Sequence, residues 1–271
     1  RYPTGYLKIP LYRPAGPPAS SKSAPWATTA LQRIACVTIV FMSLYNELLP
    51  DPLPANPLSI ASGWLADAWA ARDQPNPNSM VLATTSVDGR PSARVVLCKD
   101  IHADRGYLTF VSNYDSRKGE ELARNSRAAV VLHWDHAHRQ LRIEGLVQRA
   151  PDSESDAYFQ SRPWQRRIGA WASAQSQPLP TREALFAQIE ATAQRFGTPV
   201  PGPENEHDSL DVAFDIPRPP FWGGYHLWAD AVELWVEGES RYHERARWTR
   251  TLTIAPAGPQ PGPWSATRLQ P

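Results

Sequence analysis

Between Pro57 and Arg72 apolar residues recur at three- and four-residue steps (Leu58, Ala61, Trp64, Leu65, Trp69), which predicts a helix with one apolar face. Past the turn-rich Asp73–Asn78 the period shortens. Val81–Thr85, Ala93–Lys99, Tyr107–Asn113, Ala128–Trp134 and Arg139–Arg149 each read as a strand. In the last of these, Leu141, Ile143 and Val147 fall on one face, and Gln140, Arg142 and Glu144 on the other. Asp88-Gly89 between the first two is a hairpin signal. Short strands joined by tight turns, without βαβ alternation, predict an antiparallel barrel or sandwich.

Helical stretches interrupt this pattern. Asp115 or Ser116 is placed to cap a helix whose first turn holds Arg117 and Lys118. Cations there oppose the helix macrodipole, so the turn is either exposed and slightly unfavourable or receives a phosphate. Asp152 or Ser153 starts a second helix that ends near Arg162, because Pro163 follows. Tyr158 and Arg162, four apart, are expected on one face of it. Pro163 opens a short helix carrying Arg166, Arg167, Ile168, Gly169 and Ala170, followed by Ser173-Ala174-Gln175-Ser176. Thr181 caps a longer helix that runs through Phe196 and ends at Gly197. Residues 198–220 read as a long surface loop with an acidic middle (Glu204, Glu206, Asp208, Asp211, Asp215).

Phe221–Tyr225 opens a final sheet region, and Ala231–Trp235 reads as a strand. After a turn over Glu237–Ser240, a further strand is expected from Arg241 to about Trp248, then one more hairpin with Trp264 and Leu269 on its last strand. Strict alternation puts Arg241, His243, Arg245 and Arg247 on one face. Such a face is either a solvated basic stripe or an anion site with an imidazole between guanidinium groups.

Residues 1–41 are rich in Pro and Ser and lack a sustained period, so they are expected to be a poorly ordered extension before a 42–271 domain. A targeting or docking arm is the alternative. The apolar run Ile34–Met42 is too short to span a bilayer, and no clear cleavage site follows it, so no signal peptide or membrane anchor is expected. A net charge of +1 gives no bias toward nucleic acid or membrane surfaces. Cys36 and Cys98 form neither a disulfide framework nor a metal spacing, which fits a reducing, cytoplasmic compartment. His133, His136 and His138 lack a paired acid or cysteine, so no metal site is expected there. Nothing resembles a Ser/His/Asp set for hydrolysis.

Eight motifs occur in order: Arg94-Val95-Val96-Leu97-Cys98-Lys99, Ser116-Arg117-Lys118-Gly119, Arg139–Gly145, Tyr158–Pro163, Ile168–Ala170, Gln175-Ser176, Trp222–Tyr225 and Arg241–Arg245. Together they resemble the pyridoxamine/pyridoxine 5′-phosphate oxidase family over about Met42 to Pro271. Residues 1–41 and the acidic insertion lie outside the resemblance. It implies a mainly β chain with flanking helices, an FMN-binding split β-barrel, and a homodimer with FMN in clefts between the subunits. Flavin contacts are implied for the stretch Arg94, Val95, Val96, Leu97, Cys98 and Lys99, for Val111 and Ser112, and for Gln140, Gln175, Ser176, Trp235 and Arg245. Arg117 and Lys118 match the flavin-phosphate binders. Lys99, Tyr158, Arg162 and Arg166 match the substrate-phosphate site. Arg241 and His243, with Tyr242 between them, match residues over the substrate's pyridine ring, the first two as the catalytic pair.

The implied reaction moves a hydride from C4′ of pyridoxamine or pyridoxine 5′-phosphate to the flavin N5, and O2 reoxidises the flavin to give H2O2. The family's usual tyrosine is Val111 here, its serine is Arg166 and its common glutamine is Arg167. These departures leave open a same-fold oxidase of another metabolite, such as a phenazine precursor, or a flavin-binding protein without turnover. Under strict alternation Arg94 and Lys99, five apart, face opposite sides of their strand. Serving one flavin requires a bulge or a backbone contact.

Overall fold

A computed structural model of the chain describes residues 47–205, 214–256 and 258–271. The extension expected over 1–41, and Glu206, Asp208 and Asp211 of the acidic stretch, lie outside the described residues. Six antiparallel strands close a barrel: β1 (Ser79–Thr85), β2 (Pro91–His102), β3 (Tyr107–Asn113), β4 (Arg127–Trp134), β5 (Arg139–Arg149) and β6 (Trp222–Val236). Their order is β6-β3-β2-β1-β4-β5, and β5 pairs back onto β6. β7 (Glu244–Thr249) and β10 (Ser265–Leu269) extend from β6, while β8 (Leu252–Ala255) and β9 (Gly258–Pro261) form a separate hairpin.

Alternation fills the barrel. Val130, Leu132 and Trp134 of β4 point inward with Leu141, Ile143 and Val147 of β5. Gly89, at φ +81°, makes the β1–β2 turn. The β5–β6 register slips between Glu144 and Gly145, and there a Cβ on Gly145 would meet the Trp228 carbonyl oxygen at 1.9 Å. Helix α1 (Pro57–Ala71) plugs one side of the barrel. Asn56 caps it by accepting from the Leu58 amide at 3.0 Å, and Leu58, Ala61, Trp64, Leu65 and Ala68 are buried. Trp69, expected on that face, is 52% exposed; Ala68 takes the position one turn past Trp64 instead.

Two regions differ from the sequence expectation. Trp222–Tyr225 and Ala231–Trp235 belong to a single strand, β6, which Phe221 precedes; it is almost continuously buried, so no polar alternation marks its middle. Arg241 does not begin a strand. Glu239–Arg241 is a 3-10 turn with Ser240 at φ +53° and Arg241 at φ +68°, and β7 starts only at Glu244.

Helices α2 (Arg117–Arg124), α3 (Asp152–Gln160), α4 (Trp164–Ala172) and α5 (Arg182–Phe196) lie outside the barrel strands in sequence. Thr181 caps α5 by accepting from the Ala184 amide, and Gly197 ends it at φ +63°. A second apolar cluster joins Phe159, Trp164, Ile168 and Trp222 to Ile216. Ile216 is fully buried, so residues 198–220 are not wholly a surface insertion. Burying a side chain of that size is worth roughly 1.5–3 kcal/mol, enough to anchor the loop against α3 and α4. Among the described residues, no helix is long and apolar enough to cross a membrane.

Candidate active site

The start of α2 carries two cations, Arg117 and Lys118, and Arg94 of β2 reaches the same place. Ser116 occupies the N-cap position, but its hydroxyl donates to the Asn113 carbonyl at 2.7 Å and accepts from Lys118 Nζ at 2.9 Å. Lys118 Nζ also donates to Gln175 Oε1 at 2.5 Å. Burial, with Arg94 nearby, lowers the Lys118 ammonium to about 8. Arg94 donates to Thr84 Oγ1 at 2.6 Å and to Glu121 Oε2 at 3.2 Å, and Arg117 Nε donates to Glu121 Oε1 at 2.9 Å. Burial alone would raise the Glu121 carboxyl, but hydrogen bonds from Thr84, Ser92, Arg117 and Arg94 hold it down at about 2. One carboxylate thus holds two guanidinium groups, and Lys118 is held only by neutral oxygens. A Cβ on Gly119 would meet the Tyr114 carbonyl oxygen at 2.0 Å, so only glycine lets this turn pack here. An unbalanced, buried ammonium at a helix start fits a phosphate group. Ser176, at φ +73°, makes the exposed turn beside Gln175.

A second cationic group lies at the same end of β3. The β2–β3 register shifts between Cys98 and Asp100, which places a bulge at Lys99 and breaks the strict alternation from Arg94. Lys99 Nζ sits 5.3 Å from the Tyr158 ring centroid. Tyr158 stacks on Trp222 (6.2 Å, 10°), and the Arg162 guanidinium lies 4.8 Å from the same indole. Arg162 falls beyond the end of α3, so Tyr158 and Arg162 share Trp222 rather than a helix face. Arg162 Nη1 is buried without a hydrogen-bond partner. Burial depresses the Arg162 pKa, and neighbouring Arg166 and Arg167 add to that against Tyr158. Arg166 is exposed. Arg167 is buried and turned the other way, donating to Gln160 Oε1 at 2.9 Å and to the Phe214 carbonyl at 3.2 Å.

Of the remaining residues in this region, Ser112 is buried opposite Gly223, and Val111 packs against the second apolar cluster. The Cys98 side chain points into the barrel core, where burial raises its thiol to about 12, so a ligand could meet only its backbone. Val95 is exposed, while Val96 and Leu97 are half-buried.

Gln140, Trp235 and Arg245 lie side by side in register across β5, β6 and β7. The His243 ring lies 4.7 Å from Trp235, and its Nδ1 accepts from the Gly238 amide at 3.3 Å, which leaves Nε2 available. The basic stripe expected here is largely compensated. Glu233, 4% exposed, accepts from Arg245 and Arg142, and Arg247 pairs with Glu144. Arg241 and Tyr242 are exposed and off the strand, so neither Arg241 nor His243 shares a β7 face with Arg245. Neither Glu121 nor Glu233 was singled out from sequence. Glu121 had a signal in its four-residue spacing from Arg117; Glu233 had none. His138 does find an acid, Glu237 at 2.6 Å, but among the described residues no three potential ligands converge on a metal position.

Ser112 pairs with Gly223, whereas Gln140 pairs with Trp235, twelve residues further along β6. At about 3.3 Å per residue that is about 40 Å of strand. The Lys118–Arg162 group and the Trp235–Arg245 group therefore occupy opposite ends of β6 within one chain.

Residues 68–196 match the family model described as pyridoxamine 5′-phosphate oxidase, and residues 222–271 match the pyridoxine 5′-phosphate oxidase C-terminal dimerisation region. A pyridoxine/pyridoxamine 5′-phosphate oxidase from Cupriavidus taiwanensis is 44% identical over 227 residues, covering 83% of this chain and 92% of its own. One from Burkholderia orbicola is 42% identical over 216 residues, covering 80% and 89%. The chain belongs to the pyridoxamine 5′-phosphate oxidase family. Its split barrel is that family's fold. A solved structure of PhzG from Burkholderia lata, in complex with tetrahydrophenazine-1-carboxylic acid, is 32% identical, covers 84% of this chain and 99% of its own, and has a TM-score of 0.68. The family's C-terminal dimerisation region spans β6 to β10 here and supports a homodimer.

Proposed function

We propose that this oxidase-family chain binds FMN and oxidises pyridoxamine or pyridoxine 5′-phosphate to pyridoxal 5′-phosphate, reducing O2 to H2O2. The buried, unpartnered Arg162 Nη1 beside Lys99 and Tyr158 carries this reading, because buried cations without a partner call for an oxyanion. FMN, when bound, supplies the hydride acceptor and the route to O2. Lys118, Arg117 and Gln175 would hold its phosphate, Arg94 and Ser112 would line it, and Gln140, Trp235 and Arg245 would meet its ring. Since these groups sit at opposite ends of β6, a second copy of the chain completes each site.

Lys99, Tyr158 and Arg162 bind and orient the substrate phosphate. Arg241 fixes a polar ring substituent, and His243 holds or moves a proton at Nε2 near neutral pH. The same-fold oxidation of a reduced phenazine carboxylate is the second reading. The PhzG likeness and Arg166, which adds a cation where the family's serine stood, favour it. The test compares pyridoxine 5′-phosphate with unphosphorylated pyridoxine. Wild-type kcat/KM is expected to favour the phosphate ester by a hundredfold or more, and Arg162→Ala to erase most of that preference, at roughly 1.5–3 kcal/mol for a charge-assisted contact. Equal turnover of the two substrates contradicts the reading.

A further inference from the structure

Trp222, Gly224 and His226 alternate along one face of β6, and each meets α3 in turn. Trp222 carries Tyr158 and Phe159, the latter at 5.2 Å and 67°. The Gly224 amide donates to Ser155 Oγ at 3.1 Å. His226 Nε2 lies 2.9 Å from Glu154 Oε2. His226 is 6% exposed, its ring stacked on Tyr107 at 4.1 Å and 16°, and Tyr107 in turn lies 4.7 Å from His102. Glu154 stands in the first turn of α3, and Tyr158 one turn further on. Among the described residues, no other element offers His226 a carboxylate hydrogen bond. Its facing groups are Glu154 on α3, Tyr107 on β3, His102 on β2 and Arg105 in the β2–β3 turn.

We propose that His226 and Glu154 form a positioning latch that docks α3 on β6 and sets Tyr158 for the substrate phosphate. The inference rests on the reading that Lys99, Tyr158 and Arg162 hold that phosphate. Burial keeps the His226 imidazole below its ordinary pKa, so near neutral pH it is uncharged and donates from Nε2–H to the carboxylate. The buried ring cannot move without losing its stack on Tyr107, so it is the fixed half of the latch. Glu154, 46% exposed, is the half that brings the helix to it. Arg218 ties the other end of the contact, pairing with Asp152 at 2.7 Å and Asp156 at 2.6 Å while donating to the Trp222 carbonyl at 2.7 Å, so Glu154 is the tie at the His226 end. With Glu154 removed the helix keeps its fold and loses its setting.

The test uses FMN-loaded full-length protein carrying Glu154→Ala, Glu154→Gln or Arg162→Ala. Inorganic phosphate serves as the probe ligand, and amide hydrogen exchange of α3 as a readout independent of turnover. Glu154→Ala is expected to raise KM for pyridoxine 5′-phosphate and the inhibition constant of phosphate together, about five- to tenfold, with kcat and FMN affinity unchanged. Exchange in α3 should rise with them. Glu154→Gln, which keeps an acceptor, should restore both. His226→Ala is the partner variant; Glu154→Ala carries the test even if that buried change prevents folding. Unchanged phosphate inhibition in folded Glu154→Ala, or a fall in kcat at constant KM, overturns the latch. An Arg162→Ala enzyme that binds phosphate like wild type overturns the phosphate reading itself, and the exchange data still judge the docking of α3 separately.

Discussion

Lys118 Nζ reaches Gln175 Oε1 at 2.5 Å across fifty-seven residues of sequence, joining the first turn of α2 to the segment that follows α4. That contact buries an ammonium with no carboxylate against it, and burial lowers the ammonium to about 8 from its ordinary 10.5. In the FMN-free protein the folded state therefore holds fewer protons than the unfolded state between these values. Its stability should rise with pH across that window. A bound phosphate restores the charge, so FMN binding should take up a proton near pH ~9, and affinity should fall as pH climbs above about 8. Calorimetry in buffers of different ionisation enthalpy measures the uptake; none at pH ~9 would contradict the assignment. Changing both Arg117 and Lys118 to Ala should weaken FMN tenfold or more, at roughly 1.5–3 kcal/mol per contact.

Glu121 works in the opposite direction. Its carboxyl is held at about 2, below the ordinary 4.5, by donors from β1, β2 and α2 that outweigh its burial. The stability it contributes is full above 4.5 and is lost as pH falls toward about 2. Glu121→Gln should lower the Tm at neutral pH and flatten its decline between these values. An acid-unfolding profile with wild-type slope would show that Glu121 does not organise Arg94 and Arg117.

Arg241 ends the 3-10 turn, and His243, between that turn and β7, lies against Trp235, so neither projects from a strand face. Arg241→Ala and His243→Ala are each expected to lower kcat tenfold or more while leaving the flavin spectrum and FMN affinity intact, because the proposed reading assigns the cofactor to Arg245 and Lys118. Stopped-flow reduction of the flavin by substrate separates this from a binding defect; unchanged rates in both variants would make the turn a solvated basic segment.

The proposal that the two ends of β6 build one site between two subunits predicts subunit complementation. Lys118→Ala and Trp235→Ala homodimers should each be weakly active. Mixing them by denaturation and refolding should make about half of the dimers heterodimers, each with one intact and one doubly altered site, so the mixture should regain up to about a quarter of wild-type activity. A mixture no more active than its parents would place each site within a single chain.

Much of the barrel was legible because its strands are buried on one face. The bounds read for Tyr107–Asn113 and Arg139–Arg149 match end to end, and the second alternates from Gln140 to Gln148. The cap at Thr181 and the stop at Gly197 follow from local chemistry in the same way. β6 was read as two fragments because neither face is wet. The strand expected from Arg241 failed because left-handed backbone at Ser240 and Arg241, neither of them glycine, carries no sequence mark. For Arg94 and Lys99, alternation showed that a bulge or backbone contact was needed, but only the β3 pairing locates the bulge. The charge on β7 was misjudged for a related reason: Glu233, which compensates it, lies across the sheet rather than along the strand.

The most direct test of the whole account is a side-by-side oxidase assay of the FMN-loaded protein. Pyridoxine 5′-phosphate, pyridoxamine 5′-phosphate and tetrahydrophenazine-1-carboxylic acid are compared at equal concentration, with H2O2 and the organic product both quantified. The account predicts one H2O2 per pyridoxal 5′-phosphate from a vitamin B6 phosphate, and a kcat/KM at least tenfold above that for the phenazine acid. Turnover of the phenazine acid with neither B6 phosphate oxidised would contradict it.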